Sequence, residues 1–215
     1  MSKNYLIDTV LKGKVDFLNL SIEDKKEVFT QLVLKCHMCP LWRECKAPLP
    51  PHSIPKPKVI FIGTNPGIRE DTTRQYFPHQ YPSGSVFEKY LKLLKLNKDE
   101  VYLTNAVFCH TGQQSPPVQE NFMKCIRWKL FEFSLIEIPQ YIFVMSNYAL
   151  RMFMGLNYPS ILAIQGDIYE VELMGKSTYL VPICPPAYLL RDGANVWRKN
   201  TQMILSYVEN KMSKE

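Results

Sequence analysis

The chain has 215 residues, of which 46% are hydrophobic and 21% are charged. This composition is typical of a globular protein with one sizeable core, and the apolar runs are too short and too interrupted to span a membrane. The net charge of +6 suits a face that binds a polyanion, although charge alone does not demonstrate one. The N-terminal residues contain no apolar signal-peptide block, so we expect a cytoplasmic protein.

The elements predicted along the chain alternate between helices and strands. A helix is predicted over 23–35, where apolar residues recur at helical spacing after a capping Ser21. A proline-rich connector, 46–58, separates this helix from the strand VIFIG, 59–63. The later elements are, in order, a helix at 85–96, a strand at 101–108, a helix in the first half of 119–138, a strand at 141–145, a helix at 147–155, a hairpin of 167–173 and 177–183, and a helix at 196–211.

Alternating strands and helices predict an α/β fold with a mainly parallel sheet covered on both faces. In such sheets, binding sites lie at the carboxyl ends of the strands. Three segments follow predicted strands and are therefore candidate site loops. They are GTNPG (63–67), the stretch 105–109, and CPPAYLLRDG (184–193).

Four of the six cysteines form a pattern that can bind metal. Cys36 and Cys39 make a C-x-x-C pair at the end of the first predicted helix, and Cys109 precedes Cys125 by 16 positions. Two distant cysteines can complete a four-thiolate shell begun by a C-x-x-C pair. The spacing leaves open a zinc site, a redox thiol pair, an iron–sulfur cluster and buried cysteines without metal.

These motifs together resemble the family 4, iron–sulfur uracil-DNA glycosylases. The resemblance extends from about Cys36 to Trp197. VIFIGTNPGIRED is similar to a strand ending in G-E-x-P-G-x-x-E-D, VYLTNAVFC to V-Y-I-T-N-x-V-K-C, and PPAYLLR to H-P-A-Y-L-L-R. The cysteine spacing resembles that family's [4Fe–4S] ligand set.

The resemblance implies one domain over 1–215, with a helical extension at 1–35 and a family-like core at 36–200. It implies a three-layer α/β/α sandwich on a short, mainly parallel sheet. It also implies a monofunctional DNA glycosylase that flips a pyrimidine out of DNA and hydrolyses its glycosidic bond. The expected partner is DNA, the expected cofactor is a [4Fe–4S] cluster with zinc as the alternative, and the protein is expected to be a monomer that does not bind membranes.

Site residues follow from the same resemblance. Phe77 would stack on the flipped base, and Asn105 would read the pyrimidine edge. The turn after the first strand would face the base or a phosphate through its N–H groups, and the proline-stiffened last loop would wedge into the opened duplex. The turn residues are Gly63, Thr64, Asn65, Pro66 and Gly67; the loop residues are Pro186, Tyr188, Leu189, Leu190 and Arg191; and the cluster ligands are Cys36, Cys39, Cys109 and Cys125. Arg69, Arg74, Arg191 and Lys124 are candidate phosphate contacts.

Two departures from the family pattern bear on catalysis. Asn65 stands where the family has Glu, as in the G-I-N-P-G of the mismatch-specific uracil and thymine glycosylases, so Asn65 would orient the attacking water without taking its proton. Pro185 stands where the family has a histidine that donates to the departing base, and losing such a donor costs about 3 kcal/mol, or ~100-fold in rate. His79, His110 and Tyr81 are candidate replacements, whereas Cys184 is a weak donor.

The segment FPHQYPSG, 77–84, is longer than the family's F-V-G-x-x-G, which predicts a looser pocket. We therefore expect the substrate to be a bulky modified pyrimidine of phage DNA, and the role to be defence. The alternatives are conventional uracil repair and a catalytically weak protein that binds DNA or a flipped base. An unrelated zinc protein with four cysteine ligands is a further alternative.

Overall fold

The computed structural model describes residues 19–52, 54–112, 116–155, 157–191 and 194–214. The helices are α1 Ile22–Leu34, α2 Ile68–Thr73, α3 Pro82–Leu93, α4 Gln119–Phe133, α5 Asn147–Met154 and α6 Asn195–Met212. The strands are β1 Val59–Gly63, β2 Val101–Asn105, β3 Tyr141–Val144, β4 Tyr169–Leu173 and β5 Lys176–Pro182. Short 3₁₀ turns occupy Pro40–Arg43, Lys98–Glu100 and Tyr188–Leu190.

The five strands form one sheet in the order β2-β1-β3-β5-β4. Every neighbouring pair is parallel except β4 and β5, which form the predicted hairpin. The residues of β1, β2 and β3 are almost all buried, as expected of strands covered on both faces. The predicted α/β class and the mainly parallel sheet are confirmed.

The two faces of the sheet build two separate cores, because successive side chains of a strand point to opposite faces. Phe61 and Phe143 lie on one face and pack with Leu205 of α6 and Phe87 of α3. Ile60, Ile62 and Ile142 lie on the other face, where α5 and the end of α4 cover them. Helices on both sides of one sheet give the predicted three-layer α/β/α sandwich.

Local sequence signals explain where the main helices begin. The hydroxyl of Ser21 accepts a hydrogen bond from the Asp24 N–H at 3.1 Å and caps α1, and Ser146 caps α5 in the same way through the Ala149 N–H at 3.0 Å. Pro82 occupies the first position of α3, where its missing N–H removes no helical hydrogen bond.

Several elements differ from the predictions. The helix Ile68–Thr73 was not predicted, and α3 covers Pro82–Leu93 and not 85–96. β2 ends at Asn105 and not at 108, because the N–H groups of Ala106 and Val107 bond to the carbonyl oxygens of Gly63 and Thr64 at 2.9 and 2.8 Å. α4 continues to Phe133, beyond the predicted first half of 119–138. Residues 1–18 of the expected N-terminal extension lie outside the described residues. Among the described helices, none has the length and apolar character needed to cross a membrane.

Candidate active site and four-cysteine centre

The four parallel strands all end at one edge of the sheet, and the candidate loops leave from this edge. Gly63 at the end of β1 pairs with Asn105 at the end of β2. Val144 at the end of β3 pairs with Pro182 at the end of β5. The segments that follow β1, β2 and β5 are therefore brought to the same edge, as the sequence predicted.

Gly63 is required by the close approach of the Asn105 side chain. A Cβ atom at Gly63 would lie 2.3 Å from Asn105 Oδ1, well inside van der Waals contact. The amide nitrogen Nδ2 of Asn105 is buried and has no hydrogen-bond partner among the described residues. An unsatisfied buried donor costs about 1–3 kcal/mol, so this amide has a donor available for a ligand.

Asn65 is held on the turn between β1 and α2. Its Nδ2 donates to the Pro66 carbonyl oxygen at 3.1 Å and to Thr111 Oγ1 at 3.2 Å. The same carbonyl lies 3.0 Å from Nδ1 of the buried His110. The turn after β1 and the segment after β2 are thus joined by side chains as well as by the sheet.

Phe77 has an unusual backbone conformation that neighbouring charged groups stabilise. Its φ of 44° lies in the left-handed region, which is costly for a non-glycine residue. Its N–H donates to Glu70 Oε1 at 2.9 Å, and its carbonyl accepts a hydrogen bond from Lys98 Nζ at 3.4 Å. The ring stacks on Phe87 with centroids 4.2 Å apart and planes 17° apart.

Glu70 connects the turn after β1 to Phe77. Its second carboxylate oxygen accepts the Gly67 N–H at 2.8 Å, so one side chain binds both segments. Burial raises the pKa of Glu70, and the hydrogen bonds from the two N–H groups oppose this rise. The adjacent Asp71 accepts the Lys46 N–H at 2.9 Å, which fixes the proline-rich connector to α2.

An open groove of about 310 Å³ lies beside Phe77. Phe77, Phe87, Leu91 and Leu96 supply its apolar surface, and its polar lining consists of Gln75, His79, Glu88, Lys92, Asn97 and Lys98. Its volume is at the lower end of the range for ligand pockets. Gly84 lies on the other side of the same segment, where a Cβ would lie 2.1 Å from the Pro78 carbonyl oxygen, so this glycine permits the tight 78–81 turn.

The structure separates the two leucines of the last loop. Leu189 is only 3% exposed and packs in the core beneath the loop, whereas Leu190 is 48% exposed. Tyr188 is half-buried, and the guanidinium of Arg191 lies 5.0 Å from its ring centroid. Of the two leucines, only Leu190 can contact another molecule without local rearrangement.

Arg198 of α6 forms a hydrogen bond with the backbone of this loop. Its guanidinium donates to the Leu189 carbonyl oxygen at 2.8 Å and to Asn195 Oδ1 at 2.6 Å. At the loop's start, the Tyr90 hydroxyl donates to the Cys184 carbonyl oxygen at 2.8 Å, and Pro185 accepts the Tyr188 N–H at 2.9 Å. The loop is therefore anchored to both α3 and α6.

The four predicted cysteine ligands come together around one small cavity. Cys36, Cys39, Cys109 and Cys125 line it together with Met38, Pro48, Phe108, Lys124 and Trp128. None of the four forms a disulfide. Among the described residues, no group of three or more His, Cys, Asp or Glu side chains is arranged to hold a single metal ion.

The chemistry of this cavity fits a group held by thiolates. Burial raises the pKa of Cys39 and raises that of Cys125 to about 11, so these thiols would stay protonated at neutral pH in the absence of a metal centre. Four sulfur donors inside an apolar shell are the donor set of iron–sulfur clusters and of four-cysteine zinc sites. A fifth thiol, Cys45, has its pKa lowered chiefly by hydrogen bonding with Cys109, and its Sγ lies 3.7 Å from the Trp42 carbonyl oxygen.

A buried ion pair lies behind the four-cysteine cavity. Lys129 Nζ is 2.6 Å from Glu132 Oε2 and donates to Thr104 Oγ1 at 2.9 Å, and the side chains of Lys129 and Glu132 are 3% and 0% exposed. The ammonium also lies 3.8 Å from the ring centroid of Phe108, which lines the cavity. Glu132 accepts a further hydrogen bond from the Tyr102 hydroxyl at 3.1 Å.

The candidate phosphate contacts differ in whether their charged groups already bind other parts of the protein. Arg74 donates to the carbonyl oxygens of Ala47 and Pro48 and is therefore a structural residue, which corrects the sequence-based expectation. Lys124 pairs with Glu120 at 2.6 Å on the surface of α4. Arg69 lies 4.9 Å from the ring centroid of Tyr81, and Arg191 is exposed.

Comparison with known proteins identifies the family. The model of the uracil DNA glycosylase superfamily matches residues 50–209, which include the sheet and all three candidate loops. The chain belongs to the uracil-DNA glycosylase superfamily. This confirms the resemblance seen in the sequence motifs.

Several type-4 uracil-DNA glycosylases are similar to this superfamily member. The enzyme of Sulfurisphaera tokodaii is 26% identical over 171 residues, 78% of this chain and 76% of the relative. The enzyme of Archaeoglobus fulgidus is 26% identical over 161 residues, which are 74% of this chain and 79% of the relative. That of Thermotoga maritima is 25% identical over 177 residues, 82% and 89% of the two chains.

The sequence motifs contain the candidate site residues, but most of the residues that form hydrogen bonds with them lie outside the motifs. Thr111, Glu70, Lys98 and Arg198 each contact a motif residue from a different segment of the chain. Of these, Glu70 lay within a motif, and its spacing three residues after Gly67 is a capping-box signal. No local pattern marks the other three.

Proposed function

We propose that this chain is a monofunctional DNA glycosylase that flips a pyrimidine from DNA and hydrolyses its N-glycosidic bond. The observation that carries the proposal is that the turn carrying Asn65 and the strand end carrying Asn105 lie at the same sheet edge, where Gly63 pairs with Asn105. Phe77 is joined to the same turn through Glu70. The unpartnered Nδ2 of Asn105 supports a base-reading role, because pyrimidines present carbonyl oxygen or ring nitrogen acceptors on this edge.

In the proposed reaction, a water oxygen attacks C1′ of the flipped nucleotide while the C1′–N1 bond breaks. The bonding electron pair leaves with the base, and the water proton passes to solvent. Asn65 is neutral and cannot take this proton, so its carbonyl oxygen Oδ1 orients the water by accepting a hydrogen bond. Phe77 stacks on the base, and the loop carrying Leu190 holds the duplex open.

The missing histidine at Pro185 requires either a better leaving group or another donor. Tyr81 packs against Arg69, and His79 is exposed in the groove beside Phe77. His110 contacts the turn that carries Asn65. Among the three candidates, His110 has the most direct contact with the proposed catalytic turn, which supports it as the compensating residue.

For the substrate, we propose a bulky modified pyrimidine such as a hydroxymethylated or glucosylated base of phage DNA. The support for this proposal is the groove beside Phe77, which offers space and polar side chains next to that ring, although neither Asn65 nor Asn105 lines it. Removing such a base would leave abasic sites in invading DNA. The protein would then act in cytoplasmic defence, as a monomer bound to DNA.

We also propose that Cys36, Cys39, Cys109 and Cys125 hold a [4Fe–4S] cluster, with zinc as the alternative. The cluster would act as a structural cross-link between the segment after α1, the segment after β2 and α4. Purified protein should show a visible absorption band and contain iron and acid-labile sulfide. A colourless protein loaded with zinc would contradict the cluster.

The substrate proposal is tested by incubating purified protein with phage DNA carrying hypermodified pyrimidines, with uracil-containing DNA and with thymine-mismatch DNA. Abasic sites are measured by alkaline strand cleavage. Release from the modified DNA supports the bulky-base proposal. Release only from uracil DNA would support conventional repair and contradict the bulky-base proposal. No release at any protein excess would indicate a protein that binds DNA without releasing a base.

A further inference from the structure

The orientation of the Asn65 amide is fixed by its neighbours. A backbone carbonyl only accepts hydrogen bonds, so the atom of Asn65 that faces the Pro66 carbonyl oxygen is the nitrogen Nδ2. The second hydrogen of this nitrogen is directed to Thr111 Oγ1. Both amide hydrogens are therefore used within the protein, and Oδ1 is the side-chain atom left to bind water.

Thr111 lies at the end of the segment 106–111, which runs alongside the turn after β1 and is hydrogen-bonded to it. From Ala106 onward, this segment donates to the carbonyl oxygens of Gly63 and Thr64, and His110 bonds to that of Pro66. Cys109 lies two residues before Thr111 and lines the four-cysteine cavity. The segment 106–111 thus connects that cavity to the turn carrying Asn65.

We infer that Thr111 is a positioning residue for Asn65. Its hydroxyl oxygen holds Nδ2, and this presents Oδ1 to the attacking water. Cys109, two residues before Thr111, is buried in a hydrophobic core cluster, and this packing fixes the start of the short stretch that leads to Thr111. The inference rests on the proposed function, because it assigns the orientation of the proposed catalytic amide.

The test compares Thr111→Val, which keeps the shape but loses the acceptor oxygen, with Thr111→Ser, which keeps the oxygen. Single-turnover base release is measured at saturating protein. The substrate is whichever of the uracil, mismatched-thymine and hypermodified-pyrimidine DNAs loses its base fastest with the wild type, and the Kd for that DNA is measured as well. We expect Thr111→Val to slow release about tenfold with Kd unchanged, since one lost hydrogen bond is of this size. Thr111→Ser should stay within about twofold of wild type.

Further variants separate positioning from folding. Thr111→Ala removes the same acceptor without putting a methyl group where the hydroxyl was. It replaces the valine variant if the valine variant unfolds at a lower temperature than the wild type. In an Asn65→Ala background, Thr111→Val should slow release no further, because the two residues act through one hydrogen bond.

The outcomes distinguish this inference from the proposed function. Release by Thr111→Val and Thr111→Ala at the wild-type rate would overturn the positioning role while leaving the glycosylase proposal intact. Equal losses in the serine and valine variants would also overturn it, because the hydroxyl would then not matter. Absence of release by the wild-type protein would contradict the proposed function and the positioning role together.

Discussion

At the scale of single residues, the proposed site is expected to carry less charge than the family motifs that the sequence resembles. By that resemblance, Asn65 would stand in the place of a carboxylate and Pro185 in the place of a hydrogen-bond donor. The remaining polar groups are arranged so that Asn65 presents an acceptor and Asn105 a buried donor. Catalysis in such a site depends on orientation more than on proton transfer, which makes the hydrogen bonds around each amide decisive.

Leu190 is the residue we expect to enter the opened duplex. Leu190→Ala should slow base release from double-stranded DNA about tenfold and leave release from single-stranded DNA unchanged, because only a duplex must be kept unstacked. Release rates from matched duplex and single-stranded substrates check this. Leu130→Ala is the control, since Leu130 is 67% exposed on the surface of α4. Equal losses on both substrates would refute the wedge role.

The sequence could predict motif residues but not their contacts. Asn65, Phe77 and Asn105 were identified because each lies in or next to a recognisable stretch. The contact between Asn65 and Thr111 joins positions 46 residues apart, and that between Arg198 and Leu189 depends on the packing of α6. Such contacts are set by tertiary packing, which local periodicity does not encode.

At the scale of elements, the last loop depends on α6. Arg198→Met removes the hydrogen bond to the Leu189 carbonyl and should lower release from duplex DNA several-fold, with the single-strand rate retained. The same assay checks it. Lys199→Met removes an equal charge from the next position of α6 and should leave both rates near wild type. If both variants weaken release equally, the effect is general electrostatics and not loop support.

α4 carries the buried ion pair that lies behind the four-cysteine cavity. Lys129→Met leaves the Glu132 carboxylate buried without its cation, which costs about 3–5 kcal/mol of stability. The midpoint of thermal unfolding should then fall by on the order of 10 °C. Lys56→Met is the control, because Lys56 and Glu137 are 82% and 60% exposed and such surface pairs contribute about 0–1 kcal/mol.

A midpoint for Lys129→Met equal to that of wild type would show that Glu132 is accommodated without its partner.

The end of β2 shows that element boundaries depend on tertiary contacts. The apolar run after Asn105 predicted a strand to 108, but the segment turns to bond the loop after β1. Sequence patterns alone do not reveal which partner a backbone N–H group finds.

At the scale of the whole molecule, the alternation of strands and helices was sufficient to predict a sheet covered on both faces. The order β2-β1-β3-β5-β4 and the antiparallel edge strand are consistent with the superfamily match over 50–209. This topology places the turn after β1 between the segments after β2 and β3, so the fold itself gathers the proposed site. The four-cysteine cavity is lined by Phe108 and Cys109 of the segment after β2.

We propose that Asn65 serves the hydrolysis of a glycosidic bond in DNA. The most direct measurement is abasic-site formation by the wild type and by Asn65→Ala, each in excess over DNA containing uracil, mismatched thymine or hypermodified cytosine. We expect the wild type to form abasic sites in at least one substrate, and Asn65→Ala, equally stable and equally bound to DNA, to form none. Release at the wild-type rate by Asn65→Ala, or no release by the wild type from any substrate, would contradict it.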